Sequence, residues 1–192
     1  VAPQLTGPAV PTAAQAGHPN VVFVLTDDLS TDLVRFMPHV QRMQAQGASF
    51  TEYNLADTLC CPSRSSIFTG QFPHDTGVFT NAGPDGGYNV FHGRGDDTAT
   101  FGTTLQRAGY HTAMMGKYLN GYQPTSDPVP PGWNEWDVAG NGYREYNYDL
   151  NQNGQVHHYG STPQDYLTDV VSGRGQDFIR TEAGAHLSLI HI

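Results

Sequence analysis

Cysteine is nearly missing from this sequence: of 192 residues only Cys60 and Cys61 are cysteine, and they are adjacent. Neighbours in sequence cannot staple distant parts of a fold, which excludes a disulfide framework. No CxxC or HxxxH pair accompanies them, so the spacing of a zinc site is missing too. Positive charge is also scarce. Nine Lys and Arg stand against 18 Asp and Glu, a formal net charge of −9. Without a basic stripe to neutralise phosphates, nucleic acid is not an expected partner. An anionic ligand would have to be held by a few local cations against an unfavourable global field. No apolar run is long enough to cross a bilayer, and no membrane span is expected.

Glycine (22), proline (13) and tyrosine (10) are plentiful, which suggests ordered loops between short elements. Residues 1–19, rich in Pro, Ala, Thr and Gln, read as a disordered lead-in, either a plain linker or the stretch left after removal of a secretory signal. Residues 20–185 are expected to form the folded part. The segment 186–192 does not settle into a terminating element, so the chain reads as truncated, with a tail that is atypical after Ala185.

Residues 20–25, NVVFVL, form a continuous apolar run that predicts a strand buried on both faces of a parallel sheet. Pro38 opens a helix with Val40 and Met43 inward, and Gly47 closes it. A strand over 48–53 is expected next, then a helix near Pro62 that ends at Thr69-Gly70. A long loop over 70–97 precedes a helix capped by Thr98 and a strand over 110–115. A loop over 124–136 leads to a hairpin over 147–158 that turns at 151–154, and Thr162-Pro163 starts a last helix. Alternating strands and helices argue for an α/β sheet.

Two features carry chemistry. Asp27 and Asp28 end the first strand, where α/β proteins place ligands. Adjacent carboxylates are costly to desolvate without a cation, and hard oxygens suit calcium or magnesium. The alternative is that one caps the following helix and the other is solvated. Cys60 and Cys61 precede Pro62 at a helix start, a natural anion site, and Arg64 lies one turn further in. An ordinary thiol nucleophile needs a histidine base, and His74 and His92 give no recognisable pairing.

The run Cys60-Cys61-Pro62-Ser63-Arg64, followed by Thr69-Gly70, resembles the signature of type I sulfatases at every fixed position. The likeness extends from Asn20 to about Arg180. It includes the Asp27-Asp28 pair and Gly116-Lys117-Tyr118-Leu119-Asn120. Looser matches at Pro131-Gly132-Trp133, Tyr146-Asn147-Tyr148 and Asp165-Tyr166-Leu167 look like the N-acetylglucosamine-6-sulfatase and heparan endosulfatase branch.

The resemblance implies an α/β fold of the alkaline-phosphatase type, a mostly parallel sheet flanked by helices. It implies hydrolysis of a sulfate ester on a sulfated sugar, N-acetylglucosamine-6-sulfate or a glycosaminoglycan, in a secreted, extracellular or periplasmic protein. Cys60 would be oxidised to Cα-formylglycine by a formylglycine-generating enzyme. One hydroxyl of its hydrate would attack sulfur and the other would expel sulfate from the ester so formed. Asp27, Asp28 and the modified Cys60 would hold calcium, Arg64 would orient and stabilise position 60, and Lys117 would contact the sulfate. The sequence also departs from the pattern. Many sulfatases carry a histidine two residues after this lysine, where Leu119 stands here, and the later segments that supply further ligands are missing. The chain as written is therefore expected to be inactive by itself. A metal-dependent phosphohydrolase of the same superfamily, or a non-catalytic fragment, are the alternatives. Trp133, Trp136 and Tyr143 are candidates for sugar stacking, and His157 and His158 are read as surface residues of the hairpin.

Overall fold

The computed structural model describes residues 19–182 and the backbone of 187–191. Its centre is a six-stranded sheet ordered β1, β6, β2, β3, β4, β5. The strands are β1 Val21–Val24, β2 His111–Gly116, β3 Glu135–Val138, β4 Tyr148–Gln152, β5 Gln155–Tyr159 and β6 Leu187–His191. Strands β1, β6, β2 and β3 are parallel, and β4 and β5 extend the sheet by antiparallel pairing. The helices are α1 Pro38–Gln46, α2 Cys60–Thr69, α3 Pro73–Thr76, α4 Gly87–Gly93, α5 Phe101–Arg107 and α6 Leu167–Glu182. The lead-in, apart from Pro19, lies outside the described residues.

Strand β2 organises the packing because its side chains alternate between two fully buried faces. Met114 points into one apolar cluster with Phe68, Tyr88, Phe91, Tyr118, Leu119 and Trp136. Ala113 and Met115 point into the other, with Tyr148, Leu150, Leu167 and Val171. Each large side chain fully buried this way contributes roughly 1.5–3 kcal/mol of transfer free energy. The two layers hold the C-terminal end of β2, and Lys117 just beyond it, in a fixed place.

Several expectations change. The run over 20–25 is not buried on both faces. Strand β1 lies at the rim of the sheet, paired only with β6 among the described residues, and its four side chains are exposed, Val24 by 57%. The doubly buried central strand is β2 instead. Residues 48–53 form coil and a turn; no strand pairs with them among the described residues, and Phe50 and Tyr53 stay exposed. Helix α1 forms where Pro38 and Gly47 place it, yet buries no residue, and Met43 points to solvent. The loop over 70–97 contains the short helices α3 and α4. The cap of α5 is Thr100, whose side chain accepts from Thr103 N, and not Thr98.

The backbone of residues 187–191 does settle into an element. It is β6, inserted between β1 and β2. The hairpin turns as predicted at Asn153-Gly154, both with positive φ (52° and 88°), the geometry of a two-residue turn that matches strand twist. Before α6, Thr162 and Asp165 cap one another: the Thr162 N–H and hydroxyl both donate to Asp165 Oδ2.

Candidate active site

Three chain segments converge at the C-terminal ends of β1 and β2. Beyond β1, Asp28 takes a left-handed conformation (φ 50°), so the chain turns sharply where the two carboxylates sit. Helix α2 starts at Cys60. Asp57 Oδ1 accepts from Leu59 N at 2.7 Å, and Asn81 Oδ1 accepts from Cys61 N at 2.8 Å. Both contacts fix the first turn of the helix and leave Cys60 half-buried at its mouth. The helix stops at Gly70, whose φ of 71° lets its N–H donate to Ser66 O.

One turn inside α2, Arg64 is almost fully buried. Its guanidinium donates to Lys117 O at 3.0 Å and to Asp27 Oδ2 at 3.0 Å, joining α2 to the ends of β1 and β2. Lys117 is 4% exposed and donates to the same Asp27 Oδ2 at 2.6 Å. Cys60 Sγ lies 3.9 Å from the other oxygen, Asp27 Oδ1. The ligand atoms of Asp27, Asp28 and Cys60 all fall within 4.8 Å of one another. The sequence-predicted residues Asp27, Asp28, Cys60, Arg64 and Lys117 thus meet in one place.

The charges are mutually tuned. Burial would raise the Asp27 carboxyl, but the Lys117 hydrogen bond and the charges of Lys117 and Arg64 outweigh it and hold it below the ordinary range. Burial pulls the Lys117 ammonium down, and its bonds to Asp27 and Tyr143 more than reverse this. Burial also draws the Arg64 guanidinium down, with Asp27 opposing. Asp27 therefore stays anionic, Lys117 cationic, and two cations stand beside Cys60 in an otherwise acidic protein.

Cys61 has a different fate. Its side chain is fully buried, with the Asn120 N–H donating to its Sγ at 3.2 Å, and burial pushes its thiol up to about 11. It is a core residue with no path to reactivity. Leu119 is also fully buried among aromatic side chains and turns away from the site. Of the aromatic candidates, Trp136 is completely buried and offers no face to a sugar, and Trp133 is partly buried against the same cluster. His157 and His158 are exposed on β5, and His158 pairs with Asp149 at 2.9 Å.

Tyr143 is a site residue that no motif marks. It is 62% exposed and lies over Lys117, with Nζ 4.2 Å from its ring centroid and 2.9 Å from its hydroxyl. Gly142 permits this approach: with φ at 67°, a Cβ there would come within 3.0 Å of Lys117 Cβ. Asn120 Nδ2 donates to the same hydroxyl at 3.4 Å. A cleft of about 620 Å³ opens beside the group, lined by Asp27, Asp28, Lys117, Tyr143, Leu167 and Val171 among others.

A half-exposed cysteine at a helix start, two buried cations and a carboxylate pair make an arrangement that could hold an anionic group and a divalent cation. The Sulfatase family model matches residues 19–192, and the chain belongs to that family. It is 35% identical over 177 residues to the extracellular sulfatase SULF-1 homologue of Drosophila melanogaster, covering 88% of this chain and 15% of that protein. With human N-acetylglucosamine-6-sulfatase it shares 34% identity over 177 residues, 87% of this chain and 32% of the relative. A solved structure of an enzyme in complex with its substrate D-glucosamine-2-N,6-O-disulfate superposes with a TM-score of 0.71 at 26% identity, over 90% of this chain and 33% of that one. The fold is thus the alkaline-phosphatase-like sheet of the sulfatases. The chain spans well under half the length of each of these relatives.

Proposed function

We propose that this chain supplies the nucleophile-bearing part of a sulfuric ester hydrolase acting on a sulfated sugar, N-acetylglucosamine-6-sulfate or a related glycosaminoglycan unit. The observation that carries the reading is the meeting of Asp27, Arg64 and Lys117 around Cys60, the first residue of α2. The relatives named for that activity support the substrate class. Export from the cell and maturation by a formylglycine-generating enzyme belong to the same proposal.

In this reading Cys60 is converted to Cα-formylglycine, and its Sγ marks where the oxygen of that group would stand. Asp27, Asp28 and position 60 would hold calcium. The donor set fits a hard cation, because Asp27 Oδ1 and the Asp28 carboxylate are not tied up by Arg64 or Lys117. Calcium would supply Lewis acidity toward the sulfate oxygens when bound. The chain's own residues do the rest. Arg64 holds Asp27 in place and anchors α2 to the backbone of Lys117. Lys117 presents an ammonium beside position 60, where charge on sulfuryl oxygens is stabilised. The start of α2 adds its aligned N–H dipoles.

The test is maturation. The chain is co-expressed with a formylglycine-generating enzyme, and the tryptic peptide running from Met43 to Arg64 is weighed. The expected mass loss replaces one thiol and one hydrogen by a carbonyl oxygen. Cys60→Ala should abolish it and Cys61→Ala should not. Loss of conversion in Cys61→Ala alone would refute the assignment.

A further inference from the structure

Resting on that reading, we propose that Tyr143 is a proton donor to the reactive group at position 60 and holds that group as its hydrate. The argument is a count of donors and acceptors around one hydroxyl. Lys117 Nζ reaches the Tyr143 oxygen at 2.9 Å and Asn120 Nδ2 reaches it at 3.4 Å. An ammonium and an amide NH₂ can only donate, so they take the two lone pairs of the phenol. The phenol proton must then point elsewhere. Cys60 Sγ, 3.7 Å away, is the protein acceptor in reach of it among the described residues.

The opposite side of position 60 is set by Asp27. Cys60 Sγ faces Asp27 Oδ1 at 3.9 Å, and a carboxylate held ionised by two cations only accepts. Position 60 is therefore clasped between a donor and an acceptor. Without the metal, and once the side chains close to oxygen hydrogen-bond distances, a hydroxyl satisfies both at once, accepting from Tyr143 and donating to Asp27. An aldehyde oxygen can only accept, and it would leave Asp27 Oδ1 without that contact. Addition of water across the aldehyde, giving two hydroxyls on one carbon, turns a mismatched group into a matched one. In the metal-free protein these surroundings favour the hydrate.

Tyr143 suits this role for a second reason. Its ring covers Lys117, which is almost fully buried, while the ring itself is mostly exposed. Removal of the hydroxyl by Tyr143→Phe keeps the cover and deletes only the donor, and at this exposed position it takes nothing from the packed core.

The experiment exploits the two-cysteine sequence. Protein labelled with ¹³C-cysteine and matured by a formylglycine-generating enzyme carries label only at positions 60 and 61, and Cys61 stays a thiol. In the presence of a chelator, carbon NMR then reads the hydrate and aldehyde signals of position 60 directly. Tyr143→Phe is expected to shift the hydrate-to-aldehyde ratio about five- to tenfold toward aldehyde, the size of one lost hydrogen bond. Tyr143→Ala should match or exceed it, and the melting temperature of Tyr143→Phe should stay at the wild-type value. An unchanged ratio in both variants, with aldehyde chemistry present in all three proteins, overturns the assignment of Tyr143 and leaves the reading of Cys60 intact. Absence of any aldehyde or hydrate in the matured wild type overturns the reading of Cys60 and this inference with it.

Discussion

Asp27 and Lys117 stand 90 positions apart in the chain and meet at 2.6 Å, on the same carboxylate oxygen that receives Arg64. One partly exposed carboxylate thus compensates two buried cations. Its neighbour Asp28 has neither of these contacts.

This asymmetry separates two adjacent residues. In chelator, Asp27→Ala leaves Lys117 and Arg64 as unpaired like charges and should lower stability by about 2 kcal/mol, below the cost of a fully buried pair because Asp27 is partly solvated. Asp28→Ala should change it by less than about 0.5 kcal/mol, as for an ordinary surface position. With calcium added, the wild type should gain stability and Asp28→Ala should not. Urea titrations of the three proteins with and without calcium decide this. Equal losses for both variants in chelator would mean that Asp27 is not the clasp of the two cations.

Adjacent thiols should react very differently. Cys60 is half-exposed, whereas Cys61 is buried with its thiol pushed up to about 11. At pH 8 only about one Cys61 in a thousand would be thiolate even with free access. Brief iodoacetamide treatment of the unmodified chain should therefore alkylate Cys60 alone, and Cys61 should label only in denaturant. Mass spectrometry of the shared peptide reads the outcome, and comparable labelling of both in the folded state would contradict the buried placement of Cys61.

A pH dependence arises from Asp137 on β3. Its side chain is fully buried, its nearest charge is Arg174 Nε at 2.6 Å, and neither carboxylate oxygen has a well-directed hydrogen bond among the described residues. Burial outweighs Arg174 and pushes its carboxyl up to about 6. The folded state then binds this proton more tightly than the unfolded state does. Its contribution to stability is greatest below the unfolded value near 3.8 and is lost as pH rises through about 6. Between pH 4.5 and 7 the wild type should lose on the order of 2 kcal/mol relative to Asp137→Asn. Parallel stability curves for the two proteins across that range would exclude the effect.

Gly132 lies where the loop before β3 crosses α5. Its φ is 99°, and a Cβ would meet Thr103 N at 2.5 Å, a backbone atom that cannot step aside. Its carbonyl also accepts from the Thr112 hydroxyl at 2.7 Å. Gly132→Ala should cost about 3 kcal/mol from overpacking together with backbone strain. Gly154→Ala is penalised only for its positive φ, since nothing lies near its Cβ, and should cost about 1 kcal/mol. Denaturation midpoints that fell equally for the two would argue against the close approach.

Local chemistry in the sequence marked the residues that the fold brings together. Pro62 and Gly70 bracket α2, so Cys60 and Arg64 were legible as one turn of one helix. Lys117 was legible through its motif. Burial was harder to read. The apolar run over 20–25 looks like a central strand, yet centrality depends on which strands flank it, and that is a property of the whole sheet. The tail 187–191 showed no pattern that forecasts insertion between two strands so distant in sequence. Tyr143 was legible only as an aromatic for sugar stacking, because its reach to Lys117, Asn120 and Cys60 across the fold from a glycine-rich loop leaves no pattern in the sequence.

The insertion of β6 between β1 and β2 also sets a timetable for the growing chain. Strand β1 is made first, but its hydrogen-bonding neighbour comprises residues 187–191. At ribosomal speeds of about 5–20 residues per second, β1 waits roughly ten seconds or more for that partner to leave the exit tunnel. During the wait its exposed apolar side chains and unpaired amides are open to other edges and to chaperones. The same dependence means that Asp27 and Asp28, at the end of β1, gain a fixed position only once β6 has paired with it. A nascent chain stalled after Glu182 should show fast amide exchange through β1 and slow exchange through β2. Protection of β1 at that length would show that it docks by another route.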